Sequence, residues 1–463
     1  MNAKRLTGHS SSLLMLAAFL CAGCSSRPPA ERMPGTAVDW NITASRIKGL
    51  LSDYEGSDRP GAALMVTRGE TLILRECLGA ADLENEEAVQ PETNFRLASV
   101  TKQFTAMAVL ILIQEKKLRY ETRLTEIFPA FPQYGSAITV EHLLEHTSGL
   151  PDYESLLPDT QTVQVKDRDV LRLMMEQDST GFAPGSAFRY SNSGYAVLAM
   201  AVEKISGLPF AEFLAARIFR PLGMTNTVAF ERNVSTVPHR AYGYSRGDQG
   251  WMRTDQSTTS AVLGDGGIYS SLVDLARWLD LLQGREALIP PEALARAFLP
   301  ATLSRGEEVP YGYGFRLDAY RGMRRIYHGG STRGFRNSLQ WFPDEDLTVV
   351  FLSNRDEVSE EMLDAILDLL LPASPQDSIR HDLDDSDQAT LSGGIEPNDT
   401  GVTAEGQTDA ETHPLTFDHR ISREQTQAHR GVHRAGEHRD RPGQHRPDEE
   451  SGRVGRAGAA TCI

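Results

Sequence analysis

The segment "FRLASVTKQFTAMAVLILIQEKKL" (95–118) constrains the fold more than any other stretch. From Ala106 to Ile113 every residue is apolar. A helix that is apolar all round has no face to offer water, so other elements must enclose it on every side. The run falls well short of the ~20 residues that cross a bilayer. It therefore asks for a large folded body around a buried helix, and 463 residues supply enough chain for one large domain or two modest ones. Apolar content of 40% and charge of 24% are those of an ordinary globular protein.

The two ends of the chain read differently. Lys4 and Arg5 precede the apolar stretch "LLMLAAFLCAG" (13–23), a pattern expected of a signal segment spanning 1–23. The small residues before Cys24 resemble a bacterial lipoprotein signal, which implies lipidation of Cys24 and a membrane anchor. Cys21 departs from that pattern, and an ordinary secretory signal is the other reading. Both put the mature protein outside the cytoplasm, exported to the periplasm or held at a membrane. Residues 24–40 read as a Pro- and Ser-containing tether. From 373 to 463 the chain is first acidic ("RHDLDDSDQ"), then rich in Arg and His, with Phe417 as its lone aromatic. A segment of that composition buries too little apolar surface to offset its ordering entropy and is expected to be disordered. The net charge of −16 argues against a nucleic-acid partner. Four cysteines are too few for a disulfide framework, and their spacing points to no metal site.

Between these ends, the domain is expected to span 41–372. Two apolar runs flank "TRGE" (67–70), a hairpin with Gly69 at the turn. Helical patterns follow at 139–153, capped by Thr139, at 191–207 and at 271–284, where Ser271 and Asp274 have capping-box spacing. Strand patterns return at 324–331, 337–343 and 347–354, before a helix at 360–371. Strands at both ends with helices between predict an α/β (α+β) architecture, one sheet built from both termini with a helical lobe inserted. The cleft between sheet and lobe is where a site is expected.

Three short motifs carry chemistry. Ser99 and Lys102 share a face at the start of the apolar helix, where unpaired N–H groups favour negative charge. A serine placed there can attack a carbonyl while its N–H faces the oxyanion, with the lysine relaying its proton. The spacing alone is weak, because Ser45 and Lys48 repeat it, and a polar pair at a helix end is the competing reading. Tyr190 and Asn192 stand directly before a second helix. Beside a lysine, a tyrosine is a candidate general base, and Asn192 offers a donor and an acceptor to a substrate amide. A core tyrosine and a helix cap are the alternatives. His328, Gly329 and Gly330 end a strand, so Gly330 allows close approach to a ligand, and the N–H of Ser331 can join that of Ser99 as an oxyanion hole. His328 would be partly charged at neutral pH and available to a substrate carboxylate.

In this order, these motifs resemble the serine β-lactamase and penicillin-binding-protein superfamily, and within it the class C β-lactamase branch with its DD-carboxypeptidases, D-aminopeptidases and esterases. The resemblance covers about residues 40–372 and extends to "LLEHTSGLPDY" (143–153), "GDGGIYSSLVDLARW" (264–278), "YGYGF" (311–315) and "FLSN" (351–354). It implies an antiparallel sheet flanked by helices beside an all-helical lobe, and no cofactor. Ser99 would be the acylated nucleophile, Lys102 its partner, and Tyr190 the base and leaving-group acid. Asn192 would hold the substrate amide, and Gly330 and Ser331 would line the oxyanion wall. His328 stands where the β-lactamases carry a lysine, which favours peptide or ester substrates over β-lactams. His146, inside a signature segment, is read as structural. The resulting expectation is an exported serine hydrolase acting through an acyl-enzyme on a small molecule or cell-wall peptide. The alternatives are a β-lactamase proper or a non-catalytic, penicillin-binding sensor.

Overall fold

A computed structural model describes residues 40–372; the signal segment, Cys24, the tether up to residue 39 and the charged tail lie outside the described residues. Six strands make the main sheet: β1 (Ala62–Arg68), β2 (Thr71–Leu78), β3 (Arg316–Tyr320), β4 (Met323–Thr332), β5 (Phe335–Phe342) and β6 (Leu347–Ser353). Their spatial order is β3-β4-β5-β6-β1-β2, and every neighbouring pair is antiparallel. The first strand thus closes against the last, with Ala62 opposite Ser353, and the sheet unites both ends of the domain as the sequence pattern predicts.

Side-chain alternation along these strands builds two cores. In β1, Ala62, Leu64 and Val66 face one way, and in β6 Leu347, Val349 and Phe351 join them. Two helices cover this face, α1 (Trp40–Leu50) through Ile47 and α6 (Glu360–Leu370) through Ile366, Leu367 and Leu370. The other face turns Ala63, Met65, Val350 and Leu352 toward the helical lobe. There lies α2 (Lys102–Gln114), buried from Lys102 to Leu112. Phe104 stacks on Trp278 of α5 (Leu272–Leu282) with ring centroids 4.2 Å apart. Burying side chains of this size is worth about 1.5–3 kcal/mol each, which is why an all-apolar helix can sit at the centre of the fold.

The helix signals hold with two refinements. Between α2 and α5 lies α4 (Asn192–Ser206), which follows α3 (Asp167–Met175) and is capped by Ser191 Oγ and ended by Gly207 at φ +75°. Ser271 caps α5 by accepting the N–H of Asp274, but the Asp274 carboxylate accepts from Asn226 and Thr227 instead of closing a capping box. The pattern over 139–153 yields a far shorter helix, Val140–Leu144, because the backbone turns left-handed at His146 (φ +59°) and again at Gly149 (φ +72°). The middle of the chain also carries short strands the helical pattern hid, among them Tyr244–Gly247 and Gly250–Arg253.

Candidate active site

Ser99 lies in a 3-10 turn, Ala98–Thr101, between the short strand Phe95–Arg96 and α2. The turn is fixed from two sides. Asn337 of β5 donates to Arg96 O at 2.8 Å, and Leu97 N donates to Ile268 O at 2.8 Å. Ala98, just before the serine, has φ +50°, a left-handed conformation that costs a side-chain-bearing residue energy and re-aims the next one. Strand β4 presses on this turn at Gly330, where a Cβ would sit 2.1 Å from Leu97 O. Only glycine permits that approach.

Lys102 is fully buried at the start of α2. Its Nζ reaches Asn192 Oδ1 at 2.8 Å, Asp265 O at 3.0 Å and Ser99 Oγ at 3.1 Å. The amide and carbonyl oxygens only accept, so two N–H bonds of the lysine are committed to them. The third position faces Ser99 Oγ. An ammonium donates to the hydroxyl there, whereas an amine offers its lone pair to the hydroxyl proton. The same geometry serves both states, as a proton relay requires.

Tyr190 lies before the cap of α4 with its ring centroid 4.8 Å from Lys102 Nζ. Its Oη is buried and has no hydrogen-bond partner among the described residues, which is uncommon for a buried hydroxyl. Asn192, the first residue of α4, is bonded to Lys102 through its oxygen and to Glu154 Oε1 at 3.3 Å through its amide nitrogen. The cap is Ser191, so Asn192 is free to take part in the site. Ser99, Lys102, Tyr190 and Asn192 are therefore one cluster, while the rival pair Ser45 and Lys48 is exposed on α1.

His328 differs from the sequence expectation. It is buried, and burial together with the nearby Arg316 and Lys102 cations holds its imidazole well below the usual histidine range. Its Nδ1 lies 2.7 Å from Gly329 O, which can only accept, so Nδ1 carries the proton. Its Nε2 then accepts the hydroxyl of Tyr311 at 3.0 Å. His328 is a neutral ring with both nitrogens engaged, not a partly charged anchor for a carboxylate. Ser331, farther along β4, is exposed. Pairing of β3 with β4 stops at Arg316 opposite Tyr327, so among the described strands this end of β4 is paired with β5 alone and its other edge is open.

Three residues not singled out in the sequence complete the site. Arg316 places its guanidinium carbon 5.3 Å from the Tyr190 ring centroid, and no carboxylate forms an ion pair with it among the described residues. Its position directly after "YGYGF" was the available signal. Tyr311 opens that same segment. Asp265, whose backbone oxygen holds Lys102, has a buried carboxyl that accepts from Tyr153 at 3.1 Å and is pushed up to about 7 by burial, with Lys102 pulling the other way.

This arrangement of fold and cluster coincides with the family comparison: the Beta-lactamase family model matches residues 47–372. The chain belongs to the β-lactamase family. It is a serine hydrolase of that family, related to penicillin-binding proteins and D-aminopeptidases. Penicillin-binding protein 4* of Bacillus subtilis (strain 168) is 31% identical over 313 residues, covering 64% of this chain and 68% of that protein. A D-aminopeptidase of Brucella canis is 29% identical over 354 residues, covering 73% of this chain and 64% of the relative, so about a third of each relative's length has no counterpart in the match. Among solved structures, the penicillin binding protein from Bacillus halodurans shares the fold with a TM-score of 0.60 at 26% identity, covering 70% of this chain and 98% of that one.

Proposed function

We propose that this β-lactamase-family hydrolase works outside the cytoplasm and forms an acyl-enzyme at Ser99 on peptide, amide or ester substrates. The observation that carries the reading is the position of Lys102 Nζ, bonded to both Ser99 Oγ and Asn192 Oδ1 with the Tyr190 ring 4.8 Å away. Ser99 Oγ attacks the substrate carbonyl carbon as its proton passes to the Lys102–Tyr190 pair. The oxyanion faces the N–H groups of Ser99 and Ser331. As the carbonyl re-forms, the bond to the leaving amine or alkoxide breaks, and Tyr190 returns the proton to it. Water then attacks the ester carbon by the same proton path and frees Ser99. Gly330 supports this by letting β4 lie against the nucleophile turn.

Substrate recognition is proposed to rest on Arg316 and Glu154. With His328 neutral, Arg316 is the guanidinium beside Tyr190, where it suits a carboxylate on the leaving group. Glu154 accepts from Asn192, the residue proposed to hold the substrate amide, and its carboxyl suits an amino group there. Short peptides with free termini match both charges, and the D-aminopeptidase relative points the same way. The apolar stretch 13–23 and Cys24 support export and lipid anchoring.

The test is covalent labelling. A fluorophosphonate probe, a fluorescent penicillin and p-nitrophenyl acetate are each presented to the protein and to Ser99→Ala. At least one adduct or turnover is expected, absent from the variant. Failure with all three would overturn the reading, and labelling that survives Ser99→Ala would place the nucleophile elsewhere. A stable penicillin adduct without turnover of any substrate would favour the sensor alternative.

A further inference from the structure

We infer that His146 is a positioning residue that holds Tyr190 in register with Ser99 and Lys102. The inference rests on the reading of Tyr190 as the proton-transfer group. Tyr190 itself lies in neither helix nor strand, so no ladder of backbone bonds fixes it.

His146 stands at the end of the short helix Val140–Leu144. Its N–H approaches Leu143 O at 3.5 Å, and Thr147 N donates to His142 O at 2.9 Å. This pairing is a Schellman motif, whose left-handed residue is most often glycine because a Cβ is disfavoured there. Here a histidine occupies that residue at φ +59°. The backbone would be better served by glycine, so the side chain must answer for its presence.

That side chain, with its own carbonyl, grips Tyr190 from three directions. The carbonyl of His146 accepts the N–H of Arg189, the residue before Tyr190, at 3.0 Å. Its Nδ1 accepts the N–H of Ser191, the residue after Tyr190, at 3.0 Å. Its ring lies on that of Tyr190, with centroids 4.3 Å apart and planes 37° to each other. Tyr195 and Tyr311 close around the same imidazole at 5.1 and 4.5 Å.

The clamp works only with a neutral ring. Because Nδ1 is an acceptor, the imidazole proton must be on Nε2, which is buried with no hydrogen-bond partner among the described residues. A second proton on Nδ1 would oppose the Ser191 N–H donor to donor. Burial, assisted by the charges of Lys102 and Arg316, keeps the ring in its neutral form.

The experiment compares His146→Gly, His146→Asn, Tyr190→Phe and the corresponding double variants. Turnover of p-nitrophenyl acetate, fluorophosphonate labelling rate and thermal melting are measured on the same preparations. Glycine keeps the left-handed turn and the carbonyl that accepts from Arg189, and removes the two contacts made by the imidazole. His146→Gly is expected to lower kcat about 30- to 100-fold with KM changed less than about threefold, the scale of loss expected when a reacting group is misplaced by about 1 Å. Asparagine tolerates the left-handed turn and offers Ser191 an acceptor, and is expected to recover kcat to within about tenfold of the parent. In the Tyr190→Phe background either change should cost nothing further, because His146 acts through that hydroxyl. If His146 only caps the helix, the losses will multiply in the double variants, or His146→Gly will keep the parental kcat; either result overturns the inference. If His146→Gly does not fold, the His146→Asn single and double variants carry the same comparison. Parental kcat in Tyr190→Phe would instead remove the reading of Tyr190 on which the inference stands.

Discussion

At the scale of single residues, the charges around Ser99 divide into buried and accessible sets. Lys102 is enclosed by Ser99, Asn192 and Asp265, whereas Arg316 is half-buried and has no carboxylate partner among the described residues. Arg316→Gln is therefore expected to lower kcat/KM about 10- to 100-fold on peptides with a free carboxylate while sparing p-nitrophenyl acetate, since charged hydrogen bonds contribute about 1.5–3 kcal/mol. Steady-state kinetics on the two substrates checks this, and equal losses on both would rule out a recognition role. His328 lends itself to the opposite experiment. A lysine there would put an ammonium into a buried strand already faced by Arg316 and Lys102. His328→Lys should destabilise the fold by about 1–3 kcal/mol, read by denaturant titration, because it buries an unpaired charge and orphans the Tyr311 hydroxyl. An unchanged midpoint would show that the side chain escapes to solvent.

At the scale of elements, the site depends on the fit between β4 and the turn 98–101. Gly330 is opposite Asn337 in β5, and the Asn337 side chain holds the backbone of Arg96, two residues from the turn. Strand, neighbouring strand and the turn that carries Ser99 are thus tied together. A methyl group at Gly330 would meet Leu97 O at 2.1 Å, so either the strand or the turn must move. Gly330→Ala is expected to cost about 1–3 kcal/mol, as overpacking does, and to slow fluorophosphonate labelling of Ser99 by at least about tenfold. Gly329→Ala, whose Cβ would meet Asn337 O only at 3.8 Å, is the control that should label at the parental rate.

At the scale of the whole molecule, the buried acids and buried histidines set how stability responds to pH. Asp167 and Asp265 are pushed up to about 7 and Glu145 to about 8, in each case chiefly by burial. Unfolded, such carboxyls titrate near 4. The folded state therefore holds protons the unfolded chain has lost, and stability declines as pH rises from about 4 to about 8. His146 and His328 oppose this: neutral when folded, they gain protons on unfolding below about pH 6.5, so their contribution declines as pH falls below that value. The two trends offset each other on the acid side. Above about pH 6.5 the histidine contribution fades while the carboxyls still titrate, so the melting temperature should fall between about pH 6.5 and 8.5, with Asp167 and Asp265 each contributing about 1 kcal/mol. Asp265→Asn should flatten the decline, and a melting temperature that rises across this window would contradict the assignment.

Local pattern alone specified much of this protein. An all-apolar run demanded a buried helix, period-two strands at both ends demanded a shared sheet, and cap and turn residues marked Gly69, Thr139 and Gly207. These features repeat over short windows, so they survive without knowledge of partners. The motifs at Ser99, Tyr190 and His328 were visible for the same reason. What the chain could not declare was which side chains meet across 90 or more residues. Spacing could not separate Ser99 and Lys102 from Ser45 and Lys48; the bond from Lys102 to Asn192, 90 positions away, did so. Nor could it foresee that His328 would lose its charge, that Arg316 would supply one, or that His146 would bracket Tyr190. Burial and the field of distant charges decide protonation, and both arise only when the sheet and the helical lobe close on each other.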